Sequence, residues 1–368
     1  MLSRSSLARL ERSLRELPVL TVYLDGSPSD PAMRGAWCTR LNDALAATRA
    51  AIADRSERWQ FDAASALLHA EIESSPVPPA GTSWLALVTA QGIEARTSLA
   101  YPTPLLARWG PGAIVAPALR ALGDDRSMLV AIADSRSARI LRYSGGELEH
   151  KAALMARSIV DPPSHMTAPP RPGFHPGTRG TSGRDAAERD LRAGRLRMIT
   201  ELTAKLADLA RADDWILVGG APAAAHEALA ALPANIASRA LLVHDLHPHS
   251  APSRIARCAE HGASVLRRRE ELGTVGALLE NAGAGGRAAA GAADVGQALV
   301  AGAIRTLLLS TSFIDDAPED AERLVREAFD QGAEVEVIVG EAARLLDESA
   351  KGVGAVLRFA HAPMLSTA

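Results

Sequence analysis

The chain has 368 residues, of which 47% are hydrophobic and 23% charged, with a formal net charge of −3. This length predicts two or three folded domains, and the net charge excludes a uniformly basic nucleic-acid binder, leaving only local basic patches for phosphate contacts. The two cysteines, Cys38 and Cys258, exclude a disulfide framework and a cysteine-rich zinc site. No apolar run reaches the roughly 18–20 residues of a membrane span or resembles a signal peptide. The sequence therefore predicts a cytoplasmic protein that spans no membrane.

Residues 1–123 have the pattern of one α/β domain. Leucines at helical spacing predict a helix over residues 1–16. Val19–Leu24 (VLTVYL) is rich in β-branched and aromatic residues, which is typical of a strand. The later elements are predicted as two helices, Trp37 to about Ala53 and Arg58 to about Ile72, and two strands, Trp84–Thr89 and Ile93–Thr97.

Residues 124–249 predict a second α/β domain, which opens with a buried strand at Met128–Ala133 (MLVAIA). A long loop at residues 161–184 is rich in proline and glycine, and structureless loops of this length inside compact domains are usually functional or disordered. The helix after it carries an apolar stripe of Leu191, Met198, Leu202, Leu206 and Leu209. The remaining predicted elements are strands Ala138–Tyr143 and Leu148–Ala152, helix Asp185 to about Ala212, strand Trp215–Val218, helix Pro222–Ala231 and strand Ala240–His244.

Residues 250–368 predict a third α/β domain. Helices and strands alternate in it, and this alternation predicts a parallel sheet between helices. Asn281–Ala293 is low-complexity and predicts a mobile loop. In Gly352–Phe359, the spacing places Val353, Ala355, Leu357 and Phe359 on one strand face. The other predicted elements are helix Ser253 to about Asn281, helix Val295–Ala303, strand Ile304–Leu309, helix Ala317–Gln331 and strand Val335–Val339.

The end of the long loop and the helix after it form the most basic segment. Residues 171–197 contain three acidic residues against seven arginines, at positions 171, 179, 184, 189, 192, 195 and 197. Glycines 177, 180 and 183 allow backbone N–H groups to converge on an anion, and Ser182 with Asp185 resembles a capping box that begins a helix. Together with Arg179 and Arg184, this helix start predicts a phosphate site. The alternative is a solvated loop followed by a charged helix face.

Other candidate chemistry is weaker. His244, Asp245, His247 and His249 lie close together in the sequence, and they are either metal ligands or polar residues of a domain junction. There is no Gly-x-Ser-x-Gly motif, and neither cysteine has the context of a reactive thiolate. The sequence indicates no cofactor.

Five segments carry a resemblance to a known family: Ala131–Glu149 (AIADSRSARILRYSGGELE), Trp215–Pro222 (WILVGGAP), Asp294–Leu309 (DVGQALVAGAIRTLLL), Ala328–Ile338 (AFDQGAEVEVI) and Gly352–Phe359 (GVGAVLRF). In order and spacing they resemble the middle and C-terminal domains of the archaeo-eukaryotic release factor 1/Pelota family, over roughly residues 125–360. Residues 1–123 fit the bacterial branch of that family less specifically. The resemblance implies three α/β domains, with boundaries near residues 123 and 249, of which the last two resemble domains 2 and 3 of release factor 1 and Pelota.

The resemblance also implies a function. In this family the loop of the middle domain reaches the peptidyl-transferase centre, and in true release factors it carries a Gly-Gly-Gln motif that places water on the peptidyl-tRNA ester. Here residues 171–190 lack that motif, and no glutamine occurs between Gln91 and Gln297. Pelota and bacterial relatives such as the hibernation factor Balon also lack it. The resemblance therefore implies a non-hydrolytic factor of the ribosomal A site, acting in rescue or hibernation.

The implied partners are rRNA, tRNA and, for the C-terminal domain, a translational GTPase of the elongation factor Tu type. The predicted RNA-binding residues are Arg171, His175, Arg179, Gly180, Ser182, Gly183, Arg184 and Arg192. Two alternatives stay open. One is a peptidyl-tRNA hydrolase that uses His175, Thr181 or Ser182 to orient water. The other is a stress-related interaction protein that never contacts RNA.

Overall fold

A computed structural model describes residues 4–24, 36–74, 83–99, 103, 105–121, 126–156 and 183–360. Three sheets with flanking helices confirm the predicted α/β class. Internal contacts divide the chain into two compact units, residues 125–269 and the combination of residues 1–124 with 270–368. Within the described ranges, no helix combines the length and apolar character that crossing a bilayer requires.

The first sheet is antiparallel, with strand order β3-β2-β1-β4. Its strands are β1 (Pro18–Leu24), β2 (Ser83–Val88), β3 (Ile93–Leu99) and β4 (Leu106–Pro111), and its helices are α1 (Arg4–Leu14), α2 (Trp37–Ala51), α3 (Arg55–Ser74) and α4 (Ala116–Ala121). Leu41 of α2 and Phe61 of α3 pack on one face of the sheet with Val22 of β1. The central strands β1 and β2 are buried on both faces, which explains their nearly continuous apolar sequence.

The second sheet has strand order β7-β6-β5-β8-β9, in which β5, β8 and β9 are parallel and β6 and β7 antiparallel. Its strands are β5 (Met128–Ala133), β6 (Ser137–Ser144), β7 (Glu147–Met155), β8 (Trp215–Gly220) and β9 (Ala240–Val243). Its helices are α5 (Gly183–Leu209), α6 (Pro222–Ala230), α7 (Ala234–Ala237) and α8 (Pro252–Gly283). Helix α8 contributes its residues up to Arg269 to this unit and its later residues to the other unit.

The predicted apolar stripe of α5 is wrong at one position. Met198, Leu202 and Leu206 are buried, whereas Leu191 is 42% exposed. The reason is length: the 27 residues of α5 span about 40 Å, while the six residues of β8 span only about 20 Å. The helix therefore extends past the sheet that it covers, and Leu191 lies on the overhanging part.

The third sheet has strand order β10-β13-β11-β12. Its strands are β10 (Ala288–Ala290), β11 (Ile304–Ser310), β12 (Glu334–Ile338) and β13 (Val353–Leu357), and its helices are α9 (Ala292–Val300), α10 (Thr311–Asp316), α11 (Pro318–Asp330) and α12 (Gly340–Ala350). The predicted parallel pairing is confirmed for β11 and β12. It is wrong for β13, which lies antiparallel between β10 and β11.

Two local predictions for this segment also fail. Asn281–Ala293, predicted as a mobile loop, contains the end of α8, all of β10 and the start of α9. Ala288–Ala290 becomes a strand because β13 supplies its hydrogen-bonding partners. Phe359, predicted to share a strand face with Val353, lies beyond the end of β13 and is 50% exposed.

The first and third sheets share one hydrophobic core, to which Tyr23 and Leu307 both belong. A polar contact joins the same two segments: the carboxylate of Glu322 on α11 accepts hydrogen bonds from the backbone N of Val115 (2.9 Å) and Ala116 (3.1 Å). Each predicted α/β segment thus contains one sheet, and the first and third segments form one compact unit. The exact domain boundaries stay a prediction.

Candidate functional site

One edge of the second sheet gathers the residues that the sequence singles out. Strands β5, β8 and β9 are parallel and end there, and β7 ends there as well, with Met155 opposite Ser137. The chain leaves this edge after Ala156, whose N–H donates to the Arg136 carbonyl (2.7 Å), and its described part resumes at Gly183 with α5. We call this region, formed by Asp134, Met155, the first four turns of α5, His226 and residues 244–249, the carboxyl edge.

The backbone of the carboxyl edge is held in place by short local contacts. The Asp134 carboxylate accepts hydrogen bonds from the backbone N of Arg136 and Ser137, both at 2.6 Å. Burial opposes ionisation of Asp134, but these hydrogen bonds outweigh it and lower the pKa of the carboxyl. Gly220 has φ +121°, and a Cβ there would lie 1.8 Å from the Ala133 carbonyl oxygen, so only glycine fits between β5 and β8. Asp134 is therefore a turn residue.

The histidines at this edge are part of turns and short contacts. The rings of His226 and His244 have centroids 5.9 Å apart, and His226 Nδ1 lies 2.8 Å from the Pro222 carbonyl oxygen. The backbone N of His247 donates to Ser250 Oγ at 2.9 Å. Across the residues that the structure describes, no three His, Cys, Asp or Glu side chains are grouped so that they could hold a metal ion. The interpretation of His244, Asp245, His247 and His249 as polar residues of a domain junction stays a prediction.

The overhanging turns of α5 expose a mixed basic and apolar surface. Arg192 is exposed and has no hydrogen bond or ion pair to a described residue. Leu191 is 42% exposed, Leu196 44% and Met155, at the end of β7, 70%. The guanidinium of Arg195, by contrast, forms a bidentate pair with Glu227 of α6 (2.9 and 2.7 Å). Arg195 thus attaches α5 to α6, whereas Arg192 faces solvent.

The other end of α5 is fixed by two arginines that sequence reasoning missed. Arg142 is buried on β6; its Nη1 donates to Asp214 (2.8 Å) and to Ser127 Oγ (2.5 Å), and its Nη2 donates to the carbonyl of Leu209 (2.7 Å), the last residue of α5. Ser127 Oγ also donates to Asp214. No sequence signal marks this network, because its members lie on separate elements and each resembles an ordinary charged or polar residue.

Arg239 completes the attachment of that end. Its Nη1 donates to the carbonyls of Arg211 (2.5 Å), Ala212 (2.7 Å) and Asp214 (2.8 Å), which follow α5 directly. Burial opposes ionisation of Asp214, but the hydrogen bonds from Ser127 and from the backbone N of Arg211, together with Arg142, lower the pKa of its carboxyl. The charged form of Asp214 is therefore the one that holds this network together.

Most of the predicted RNA-binding and alternative catalytic residues lie outside the described part of the chain: Arg171, His175, Arg179, Gly180, Thr181 and Ser182. Gly183 and Arg184 belong to the first turn of α5, which begins directly after Ser182, where the capping-box pattern predicts a helix start. Arg192 lies about two turns further along the same helix. The structure therefore places the described members of the predicted set on one overhanging helix end.

Comparison with known proteins finds a family match in this part of the chain. Residues 114–261 match the model of bacterial archaeo-eukaryotic release factor family 10, a range that contains the second sheet, the long loop and α5. No functionally curated protein matches the chain.

Several solved structures are similar to it at low identity. Pelota of Archaeoglobus fulgidus is 19% identical over 77% of this chain and 80% of its own, with a TM-score of 0.42. Dom34 of S. cerevisiae, a translation termination-like factor, is 11% identical over 77% and 82%, with a TM-score of 0.44. The archaeal termination factor aRF1 is 18% identical over 97% and 98%, with a TM-score of 0.27. Over residues 114–261, the chain therefore matches the bacterial branch of the archaeo-eukaryotic release factor family, and the predicted resemblance is confirmed for this range.

Proposed function

We propose that this protein is a cytoplasmic, ribosome-associated translation factor that occupies the A site without hydrolysing peptidyl-tRNA. The observation that carries the proposal is the family match over residues 114–261. It covers the segment in which a release factor carries its catalytic loop, yet this chain has no glutamine between Gln91 and Gln297. A family scaffold without the hydrolytic residue fits a factor for rescue or hibernation, since both need an A-site ligand that does not cleave the ester.

The carboxyl edge supplies the RNA contact in this proposal. Phosphate groups are bound by local positive charge, and arginine presents a planar fork of donors that matches a phosphate. Residues 171–197 carry seven arginines on a chain whose net charge is −3. Arg192 is available for such a contact because it is exposed and pairs with no described residue. Leu191 and Leu196 beside it offer apolar surface to ribose or base faces.

The third sheet and its helices have a separate role in the proposal. By family resemblance they meet a translational GTPase of the elongation factor Tu type, which would deliver the protein to the ribosome. The rRNA contact and the GTPase contact thus lie in different compact units of the chain. This separation makes them open to independent tests.

Cosedimentation with purified ribosomes tests the proposal. The full chain is centrifuged with ribosomes through sucrose at low salt, with and without such a GTPase. The variant Arg179→Ala/Arg184→Ala/Arg192→Ala should lose most binding, because it removes three charges from the proposed contact. Its matched control, Arg9→Ala/Arg305→Ala/Arg344→Ala, removes three charges from exposed positions of the other unit and should bind normally without the GTPase.

Three outcomes would contradict the proposal or part of it. Failure of the unmodified chain to cosediment with ribosomes, both with and without the GTPase, would contradict the ribosomal function. Normal ribosome binding by the first variant would favour the alternative that the chain is an interaction protein that does not contact RNA. Release of labelled peptide from peptidyl-tRNA, abolished by His175→Ala, Thr181→Ala or Ser182→Ala, would show that it is a hydrolase.

A further inference from the structure

A cavity of about 290 Å³ lies within the compact unit formed by residues 1–124 and 270–368, between the first sheet and helices α10 and α11. Strands β1 and β4 and helix α4 line it from one side, and helices α10 and α11 from the other. Its walls are mostly apolar and include Leu106 and Ile314. A cavity of this size has room for roughly ten groups the size of a water molecule, at about 30 Å³ each. It is at the lower end of the range for small-molecule sites.

A buried hydroxyl in the wall has no hydrogen-bond partner among the described residues. Thr103 is 2% exposed, and its backbone N donates to Ser83 Oγ at 2.9 Å, which fixes the residue in place. Its Oγ1 is buried and makes no hydrogen bond to a residue that the structure describes. Leaving such a group unpaired costs about 1–3 kcal/mol. A ligand in the cavity that accepts a hydrogen bond would remove this cost.

The charged residues of the wall show which kind of ligand fits. Arg120 pairs with Asp315 at 3.6 Å, and Glu319 lies in the first turn of α11, where the helix dipole favours an acidic side chain. Arg108 is exposed at the wall and has no hydrogen bond or ion pair to a described residue. Thr103 and Arg108 are thus two donors without an acceptor, and both suit an anion.

We infer that this cavity binds a small carboxylic acid with an apolar body, such as a medium-chain acid. The acid group accepts hydrogen bonds from Arg108 and Thr103, and the apolar body fills the space beside Leu106 and Ile314. Because residues of both chain segments line the cavity, the ligand would contact residues 1–124 and residues 270–368 at the same time. The inference does not depend on the ribosomal function.

Three probes of equal chain length test the inference by titration calorimetry on the full chain. Octanoate, 1-octanol and octylammonium share the apolar chain and differ in charge. Octanoate should bind about tenfold more tightly than 1-octanol, since a charge-assisted hydrogen bond contributes roughly that factor. Octylammonium should bind no better than 1-octanol. Equal binding of all three probes, or tighter binding of octylammonium, overturns the inference.

Variants locate the site. Arg108→Gln should weaken octanoate binding about tenfold and leave 1-octanol unchanged, and Thr103→Val should weaken octanoate about fivefold. Thr103→Val keeps the side-chain shape and removes only an unpartnered hydroxyl, so folding should survive. Leu106→Trp fills the cavity and should abolish binding of both molecules. The control Arg305→Gln removes an exposed arginine of the same unit outside the cavity and should change nothing. Wild-type octanoate affinity in Arg108→Gln and Thr103→Val would place the acid elsewhere and refute the assignment.

Discussion

Each compact unit buries a carboxylate that joins elements far apart in the sequence, yet the two carboxylates ionise differently. Asp214 is 1% exposed and pairs with the Arg142 guanidinium at 2.8 Å, and its pKa is lowered. Glu322 is 4% exposed and, among the described residues, accepts hydrogen bonds from two backbone N–H groups, and burial raises its pKa to about 7. Two backbone dipoles therefore do not replace a guanidinium, because burial disfavours a charge without a counter-charge at hydrogen-bonding distance.

The arginines around α5 also divide into those with a hydrogen-bonding partner among the described residues and one without. Arg142 and Arg239 hydrogen-bond to the end of α5 and the residues after it and hold the helix to the sheet. Arg192, at the overhanging end, has no partner among the described residues. We interpret paired arginines as parts of the fold and unpaired exposed arginines as candidates for binding. Variants that replace these arginines one at a time test this interpretation.

The largest effect is expected for Arg142→Ala. The variant leaves the Asp214 carboxylate buried without its counter-charge, which typically costs 3–5 kcal/mol when one member of a buried pair is removed. Pulse-labelling hydrogen exchange of peptides from β5 and β8 along a urea series measures the free energy of unfolding of this unit. Arg192→Ala is the control and should stay within about 0.5 kcal/mol of the unmodified chain. A loss below about 1 kcal/mol for Arg142→Ala would contradict the proposed role of the pair.

The second prediction concerns the pH dependence of Glu322. Its folded pKa of about 7 lies above the ordinary value of 4.5, so the folded state binds the proton more tightly than the unfolded state. This stabilisation is complete below pH 4.5 and is lost as the pH rises through 7. The unit formed by residues 1–124 and 270–368 should therefore lose up to about 3 kcal/mol of unfolding free energy from Glu322 across this interval.

Urea denaturation at several pH values between 4.5 and 7.5 measures that loss. Glu322→Gln removes the titrating group and should flatten the slope, although it can lower the stability at every pH because its amide faces two N–H donors. Glu319→Gln, on an exposed position of the same helix, should keep the slope of the unmodified chain. An unchanged slope in Glu322→Gln would show that another group titrates.

A smaller loss is expected for Arg239→Ala. The three carbonyls that it contacts follow α5 and are partly accessible to water, so water replaces part of the lost hydrogen bonding. We expect the free energy of unfolding to fall by about 1–2 kcal/mol. Hydrogen exchange of the peptide that contains the end of α5 and residues 210–214 reports on it. Faster exchange confined to the overhanging start of α5 would show that Arg239 does not act on the end where its contacts lie.

The sequence predicts the strands of the second sheet well, because β5 and β8 are short apolar runs bounded by turn residues. It fails where a strand depends on its neighbour: Ala288–Ala290 has no β-branched residue and pairs only because β13 lies beside it. Periodicity along α5 could not show that Leu191 is exposed, since the length of the covering sheet is set by other segments. The local sequence pattern thus predicts individual helices and strands but not how they are arranged against one another.

For the candidate site, the sequence located the basic segment but could not sort its arginines. Arg195 and Arg192 lie three residues apart with similar local sequence, and only the position of Glu227 on α6 makes Arg195 a structural residue. Arg142 and Arg239 have no unusual sequence context, and their partners are up to 72 residues away. Pairing of this kind depends on tertiary contacts, which periodicity and composition do not encode.

The last prediction has no expected effect on stability and a measurable effect on binding. Arg192→Ala should leave the free energy of unfolding within about 0.5 kcal/mol of the unmodified chain. In the proposed ribosome complex, the dependence of log affinity on log salt should become shallower by about one, as for the loss of one phosphate contact. Titration of ribosomes at roughly 50, 100 and 200 mM salt gives both the affinity and the slope.

Two further variants decide what Arg192 contributes. Arg192→Lys keeps the charge and should restore the salt slope, but not all of the affinity if the guanidinium binds phosphate through two donors. Arg344→Ala removes an exposed arginine from the other unit and should alter neither quantity. If Arg192→Ala weakens binding without changing the salt slope, the residue acts through shape or apolar contact with Leu191 and Leu196 rather than through phosphate. The rule that an unpaired exposed arginine marks a phosphate contact would then fail at the position where it is best defined.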